Sequence, residues 1–173
     1  MADEVILVNG LPGSGKTTLA GKLAAALRLP LVSKDALKES MAAAVPGIPP
    51  AAVGVAASQV MWELAAATPG GVLLESWWFK PRDLGFVRAG LDRCGGPPTV
   101  EVWCDVPAEL ALARYRLRRR GALYEDDRKA REWWPRWSTE AEPLRVGHTL
   151  VVATDGPVDV GSLVDAIACR RSA

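Results

Sequence analysis

The run Gly10-Leu11-Pro12-Gly13-Ser14-Gly15-Lys16-Thr17-Thr18 fits the spacing G-x-x-x-x-G-K-[ST], and each residue type has a chemical reason for its place. The glycines reach backbone conformations closed to other residues, so successive N–H groups turn inward around a phosphate. Gly10, Gly13, Ser14, Gly15 and Thr18 are therefore candidate phosphate-cradling residues. Lys16 is positioned to bring a point charge to the β- and γ-phosphates, and the Thr17 hydroxyl to ligand Mg²⁺. A helix starting at this point adds the positive end of its dipole. The chemistry implied is binding of a nucleoside triphosphate with Mg²⁺.

The flanks supply the context such a loop needs. Val5-Ile6-Leu7-Val8 is a continuous apolar run, as expected of a strand buried on both faces. Leu19, Leu23 and Leu27 then recur every four residues, as on a helix packed against a sheet. Further β-type runs stand at Leu31–Ser33, Val72–Glu75, Val100–Cys104 and Leu150–Ala153. Helical patterns are expected over Lys16–Arg28, Ala36–Ala43, Ala51–Ala67, Pro81–Arg93, Pro107–Arg119, Asp127–Ala141 and Val160–Ala168. Alternating strands and helices predict a parallel sheet with helices on both faces.

In such a sheet ligands sit at the carboxyl ends of the strands, so the residues there are the ones to search. Asp35 follows the second strand, where a carboxylate is suited to take the proton of an attacking hydroxyl. The alternative is that it caps the next helix. Lys38 follows Ser33-Lys34-Asp35 at the same strand end and is a candidate acceptor-binding residue. Glu75 ends the third strand and resembles an acid that orders Mg²⁺ beside the loop. Asp105, ending the fourth, is its rival. Trp77 and Trp78 follow Glu75 and are candidates to stack an acceptor.

Arg114, Arg116, Arg118, Arg119 and Arg120 place five guanidinium groups in seven residues. As a helix, the segment puts Arg114 and Arg118 on one face and Arg116, Arg119 and Arg120 on another. Such groups stabilise a phosphoryl group in flight, or line a nucleic-acid patch. Trp133, Trp134 and Trp137 share a helical pattern suited to packing, and His148 is expected to be structural.

Composition narrows the classes. With 21 basic and 20 acidic residues the net charge is +1, which argues against a protein built to coat nucleic acid or membrane. Cys94, Cys104 and Cys169 form no C-x-x-C pair, so no zinc site or disulfide framework is expected. A core strand at the start of the sequence and no long apolar stretch point to a cytoplasmic location without membrane partners. The length suits one domain over 1–173, with a lid region at about 114–138.

With these residues in place, the sequence resembles small P-loop kinases of the AAA_33 type. That group includes chloramphenicol phosphotransferases, zeta-toxin kinases and polynucleotide 5′-hydroxyl kinases. The resemblance rests on Gly10–Thr18, on Ser33-Lys34-Asp35, on the helix after Asp105-Val106-Pro107 that ends in Arg114 and Arg118, and on Val152–Pro157. It implies a three-layer α/β P-loop NTPase fold, a five-stranded sheet in order 2-3-1-4-5 and an arginine-rich lid. It also implies transfer of the ATP γ-phosphate to a hydroxyl, with catalytic Lys16, Asp35, Arg114 and Arg118 and with Asp155 on the adenine side. Two departures matter: Glu75 stands where many members carry Asp, and Lys38 where polynucleotide kinases tend to carry Arg. Arg and Lys are not interchangeable at bidentate phosphate sites. The expected acceptor is therefore a hydroxyl-bearing small molecule, such as an antibiotic or natural product, bound at Lys38, Trp77 and Trp78. The alternatives are a 5′-hydroxyl nucleic-acid end and a nucleotide-dependent switch or ATPase. No N-K-x-D guanine-selecting motif supports the switch.

Overall fold

The first apolar run is continuous because both of its faces are covered. Successive strand residues point to opposite sides. Val5 and Leu7 pack with Met61, Trp62, Val87 and Leu91, whereas Ile6 and Val8 pack with Leu19, Leu23, Leu163 and Ile167. The computed structural model describes residues 2–118 and 121–171.

Strand β1 (Ala2–Asn9) leads through the glycine loop into helix α1 (Lys16–Leu27). Then come β2 (Leu31–Ser33), α2 (Lys34–Ala44), α3 (Pro50–Ala67), β3 (Gly70–Glu75), α4 (Lys80–Arg93) and β4 (Thr99–Asp105). The chain continues through α5 (Ala108–Leu117), a 3₁₀ turn (Ala122–Tyr124), α6 (Asp126–Glu132) and α7 (Trp134–Glu140), and ends with β5 (His148–Ala153) and α8 (Val160–Arg171). The five strands pair in parallel in the order β2-β3-β1-β4-β5. This is the expected sheet: β1 is central, with β3 on one side and β4 on the other, so the glycine loop emerges at the switch point of the topology.

Three local expectations are corrected. The single helix expected over Asp127–Ala141 is two, α6 and α7, meeting at Trp133. Pro135 in the first turn of α7 accounts for the break, since it has no N–H to continue the hydrogen-bond ladder of α6, whereas the first turn of a new helix tolerates it. Trp134 and Trp137 are buried with Leu11, Phe79, Val106 and Tyr115 in a third cluster, while Trp133 is 43% exposed. Helix α5 stops at Leu117, and Arg118 is extended (φ −70°, ψ 127°). Arg114 and Arg118 therefore do not share a helix face. Arg119 and Arg120 lie outside the described residues. Helix α2 starts at Lys34 with Ser33 as its N-cap, so the capping role considered for Asp35 falls to Ser33, which itself makes no side-chain cap bond.

A buried polar network fixes the end of β1. Asn9 Oδ1 accepts the N–H groups of Gly10 (2.8 Å) and Trp78 (3.0 Å). Its amide donates to the Trp78 carbonyl and to Glu101 Oε1, each at 3.2 Å. Glu101 is fully buried and also accepts the N–H groups of Leu144 and Arg145, both at 2.9 Å. In a Glu101→Gln protein an amide NH₂ faces one of these donors. The expected loss is about 1–3 kcal/mol, read as a lower urea midpoint with unchanged m-value.

Candidate active site

Gly13 (φ 90°) and Gly15 (φ 87°) shape the loop after β1. Both lie in the left-handed region that side chains disfavour. At Gly13 there is also no room, because a Cβ would collide with the Ala111 carbonyl oxygen. The Ser14 hydroxyl inside the loop is buried and meets no hydrogen-bond partner among the described residues. A tight left-handed turn, an orphaned buried hydroxyl and the start of α1 together fit an anion cradle.

Strand register then brings an acid to the loop. Glu75 is aligned with Val8 of β1 and with Ser33 of β2. Its Oε1 accepts the Thr17 hydroxyl at 3.1 Å, and its Oε2 accepts the Ser33 hydroxyl at 2.7 Å. The Lys16 ammonium lies 3.9 Å from Oε1, and both side chains are almost fully buried. Burial lowers the Lys16 pKa; Glu75 opposes that shift and the Arg118 guanidinium reinforces it. Asp105 is exposed, two residues past the β4 position that pairs with Asn9. Its carbonyl accepts the Thr154 N–H (2.8 Å) and hydroxyl (3.0 Å). Of the two rival acids, Glu75 is the one against Thr17 and Lys16.

A cavity of about 550 Å³ opens from Lys16 and Glu75 toward α2, α3 and α4. Asp35, Lys38, Trp77 and Arg118 line it. Trp78 does not: its ring is buried in the core, 3% exposed, beneath the Asn9 network. Arg114 is also elsewhere, donating to the carbonyls of Thr154 (2.9 Å) and Asp155 (3.1 Å) and tying α5 to the loop after β5. The exposed Asp155 lies with that second group, outside the cavity. Thus Lys16, Thr17, Asp35, Lys38, Glu75, Trp77 and Arg118 come together, and Arg114 and Asp155 form a separate set behind α5.

Sequence reasoning missed Tyr124, whose hydroxyl donates to Glu39 Oε1 (2.6 Å) while its ring lies under the Lys38 ammonium, 4.4 Å from the centroid. That contact joins the 3₁₀ turn to α2. It gave no role to Lys34 or to the Asn9–Glu101 pair. Acids in apolar strands were the available signal for Glu101. Nothing in spacing pointed to Tyr124.

A family model, AAA_33, described as an AAA domain, matches residues 5–136. No curated protein matches the chain. Among solved structures, a protein from Chloroflexus aurantiacus J-10-fl proposed to be a kinase is 25% identical, with a TM-score of 0.77 over 98% of this chain and 96% of that one. A gluconokinase from Sinorhizobium meliloti 1021 is 16% identical, with a TM-score of 0.60 over 98% and 92% of the two chains. A shikimate kinase from Bacteroides thetaiotaomicron is 17% identical, with a TM-score of 0.59 over 98% of each. The last two likenesses show a shared fold. No described helix is long and apolar enough to cross a membrane.

Proposed function

This chain belongs to the AAA_33 family of AAA domains, and we propose that it is an ATP-dependent phosphotransferase acting on a hydroxyl of a small molecule. The observation that carries the reading is a single cavity lined by the loop lysine, Lys16, and by Asp35 from the other side of Glu75. Phosphoryl transfer needs little more from a protein than positioning and charge. The names of the similar structures, a gluconokinase and a shikimate kinase, agree with a small-molecule acceptor.

Each residue then has a task. The loop N–H groups and Lys16 hold the β- and γ-phosphates. Thr17 and Glu75 are adjacent hard oxygen donors, and the described residues contain no preformed cluster of three acidic, His or Cys ligands. This suits Mg²⁺, which binds through one or two protein oxygens plus phosphates and water. When bound, the ion neutralises phosphate charge. Asp35 takes the proton of the attacking hydroxyl. Arg118 faces the transferred group, whereas Arg114 holds the loop at Asp155 on the nucleotide's base side.

Incubating the protein with γ-labelled ATP and antibiotics, nucleosides, hydroxy acids or 5′-hydroxyl oligonucleotides tests the reading. Label transfer to oligonucleotides alone would replace the small-molecule acceptor with a nucleic-acid end. Label on none of them, with ATP hydrolysis intact, would favour a nucleotide-dependent ATPase. The two arginines are expected to separate kinetically. Arg118→Ala should lower kcat by roughly 10²-fold or more with ATP affinity little changed, as for loss of charge needed in the transition state. Arg114→Ala should instead raise the KM for ATP by about 10-fold, since its bonds organise a binding loop.

A further inference from the structure

Lys34 stands at the mouth of α2, directly after β2, and lines the acceptor side of the cavity. Lys38, one turn further on the same face, is 8% exposed and lines it too. Arg82 enters from α4, but its guanidinium is held by both oxygens of Asp83, at 2.7 Å each. Lys38 lies over the Tyr124 ring. Lys34 is half-buried, yet its ammonium makes no hydrogen bond or ion pair with any described residue. A desolvated cation without a partner is costly, so proteins seldom keep one in a cavity wall without use.

We propose that Lys34 and Lys38 form an anion subsite, and that the acceptor is a hydroxy compound carrying a carboxylate or phosphate. Its anionic group sits on Lys34 while its hydroxyl faces Asp35. The inference rests on the phosphotransferase reading of the same cavity and adds the chemical class of the acceptor. Gly54, Val55 and Ser58 of α3 line the same cavity, and side chains this small leave room for a short hydroxylated carbon chain.

Electrostatics support the assignment. Burial lowers the Lys34 pKa to about 8; Asp83 opposes the shift, Arg82 and Lys38 add to it, and Asp35 opposes it weakly. The other charged groups on the cavity wall nearby are engaged. Arg128 holds Glu125 (2.8 Å), Tyr115 donates to Asp126 (2.7 Å), and Lys129 donates to the Tyr124 carbonyl (2.7 Å). An anion placed on Lys34 favours its charged form and raises that pKa again. Binding is therefore coupled to proton uptake near pH 8, and affinity for an acidic acceptor falls as pH rises above that value.

The experiment pairs short aldonic acids with the alditols of the same length, and sugar monophosphates with the parent sugars. Rates with ATP and calorimetric binding are measured for each. The expected result is a kcat/KM preference of roughly 10²-fold for one acidic class over its neutral partner; whichever pair shows it identifies carboxylate or phosphate. Calorimetry at pH 8 in buffers of different ionisation enthalpy should register uptake of about half a proton. Lys34→Met should abolish that uptake and raise the KM for the acid by about 10²-fold, with the KM for ATP unchanged. Removing an ammonium that pairs with no described residue should leave the protein folded; Lys34→Gln, of similar length, is the second variant. Equal use of neutral and acidic partners, or a Lys34→Met protein with unchanged acid binding, overturns the subsite and leaves the phosphotransferase standing. Acid binding with proton uptake but no phosphorylation of any compound supports the subsite and rejects the phosphotransferase. No binding of either acid class rejects the subsite.

Discussion

Asp35→Asn is expected to slow phosphoryl transfer by roughly 10²–10⁴-fold, the range for loss of a general base, while ATP binding stays nearly unchanged. The amide keeps the carboxylate's shape but does not take a proton from the attacking hydroxyl. Stability is expected to hold, because Ser33 rather than Asp35 is the N-cap of α2. Single-turnover rates at saturating acceptor, ATP titration and thermal melting of the same preparation check the three parts. A small rate loss with a marked drop in melting temperature would make Asp35 structural.

The second large effect is at Lys16. Lys16→Ala should reduce transfer by roughly 10²–10³-fold or more, as for removal of a group aimed at developing charge in a dry site. The buried ammonium is paired with Glu75 at 3.9 Å, so its loss has two opposing consequences for stability. The desolvation cost that lowers its pKa disappears, but Glu75 loses a neighbouring cation. Glu75 keeps the hydroxyls of Thr17 and Ser33. The fold is therefore expected to survive, with a melting temperature near that of the parent. Circular dichroism and melting beside the transfer assay separate lost chemistry from lost structure, and full turnover by the folded variant would remove the loop from the mechanism.

What the sequence by itself determined is whatever depends on neighbours in the chain. The glycine loop, the strand before it and the helix after it are legible because turn geometry and apolar periodicity are local. The five strands followed the same logic; their order came instead from the family resemblance, and the sheet matches it.

Tertiary structure decided everything that depends on which distant residues share a strand end. Glu75 and Asp105 both end strands and look alike in sequence. Only the register with Val8 and Ser33 sets Glu75 against Thr17, while Asp105 lies beyond the loop. Trp77 and Trp78 are adjacent, but neighbouring side chains diverge, so one lines the cavity and the other enters the core. In sequence the arginine run reads as one continuous helix, with Arg114 and Arg118 sharing a face; the helix ends at Leu117, after which extended backbone sends Arg118 toward Lys16 and leaves Arg114 on the loop after β5. Lys34 is an ordinary surface-type residue in sequence. Its partial burial with no partner among the described residues arises only when α2 and α4 line one cavity, because desolvation belongs to the assembled surroundings and not to the residue.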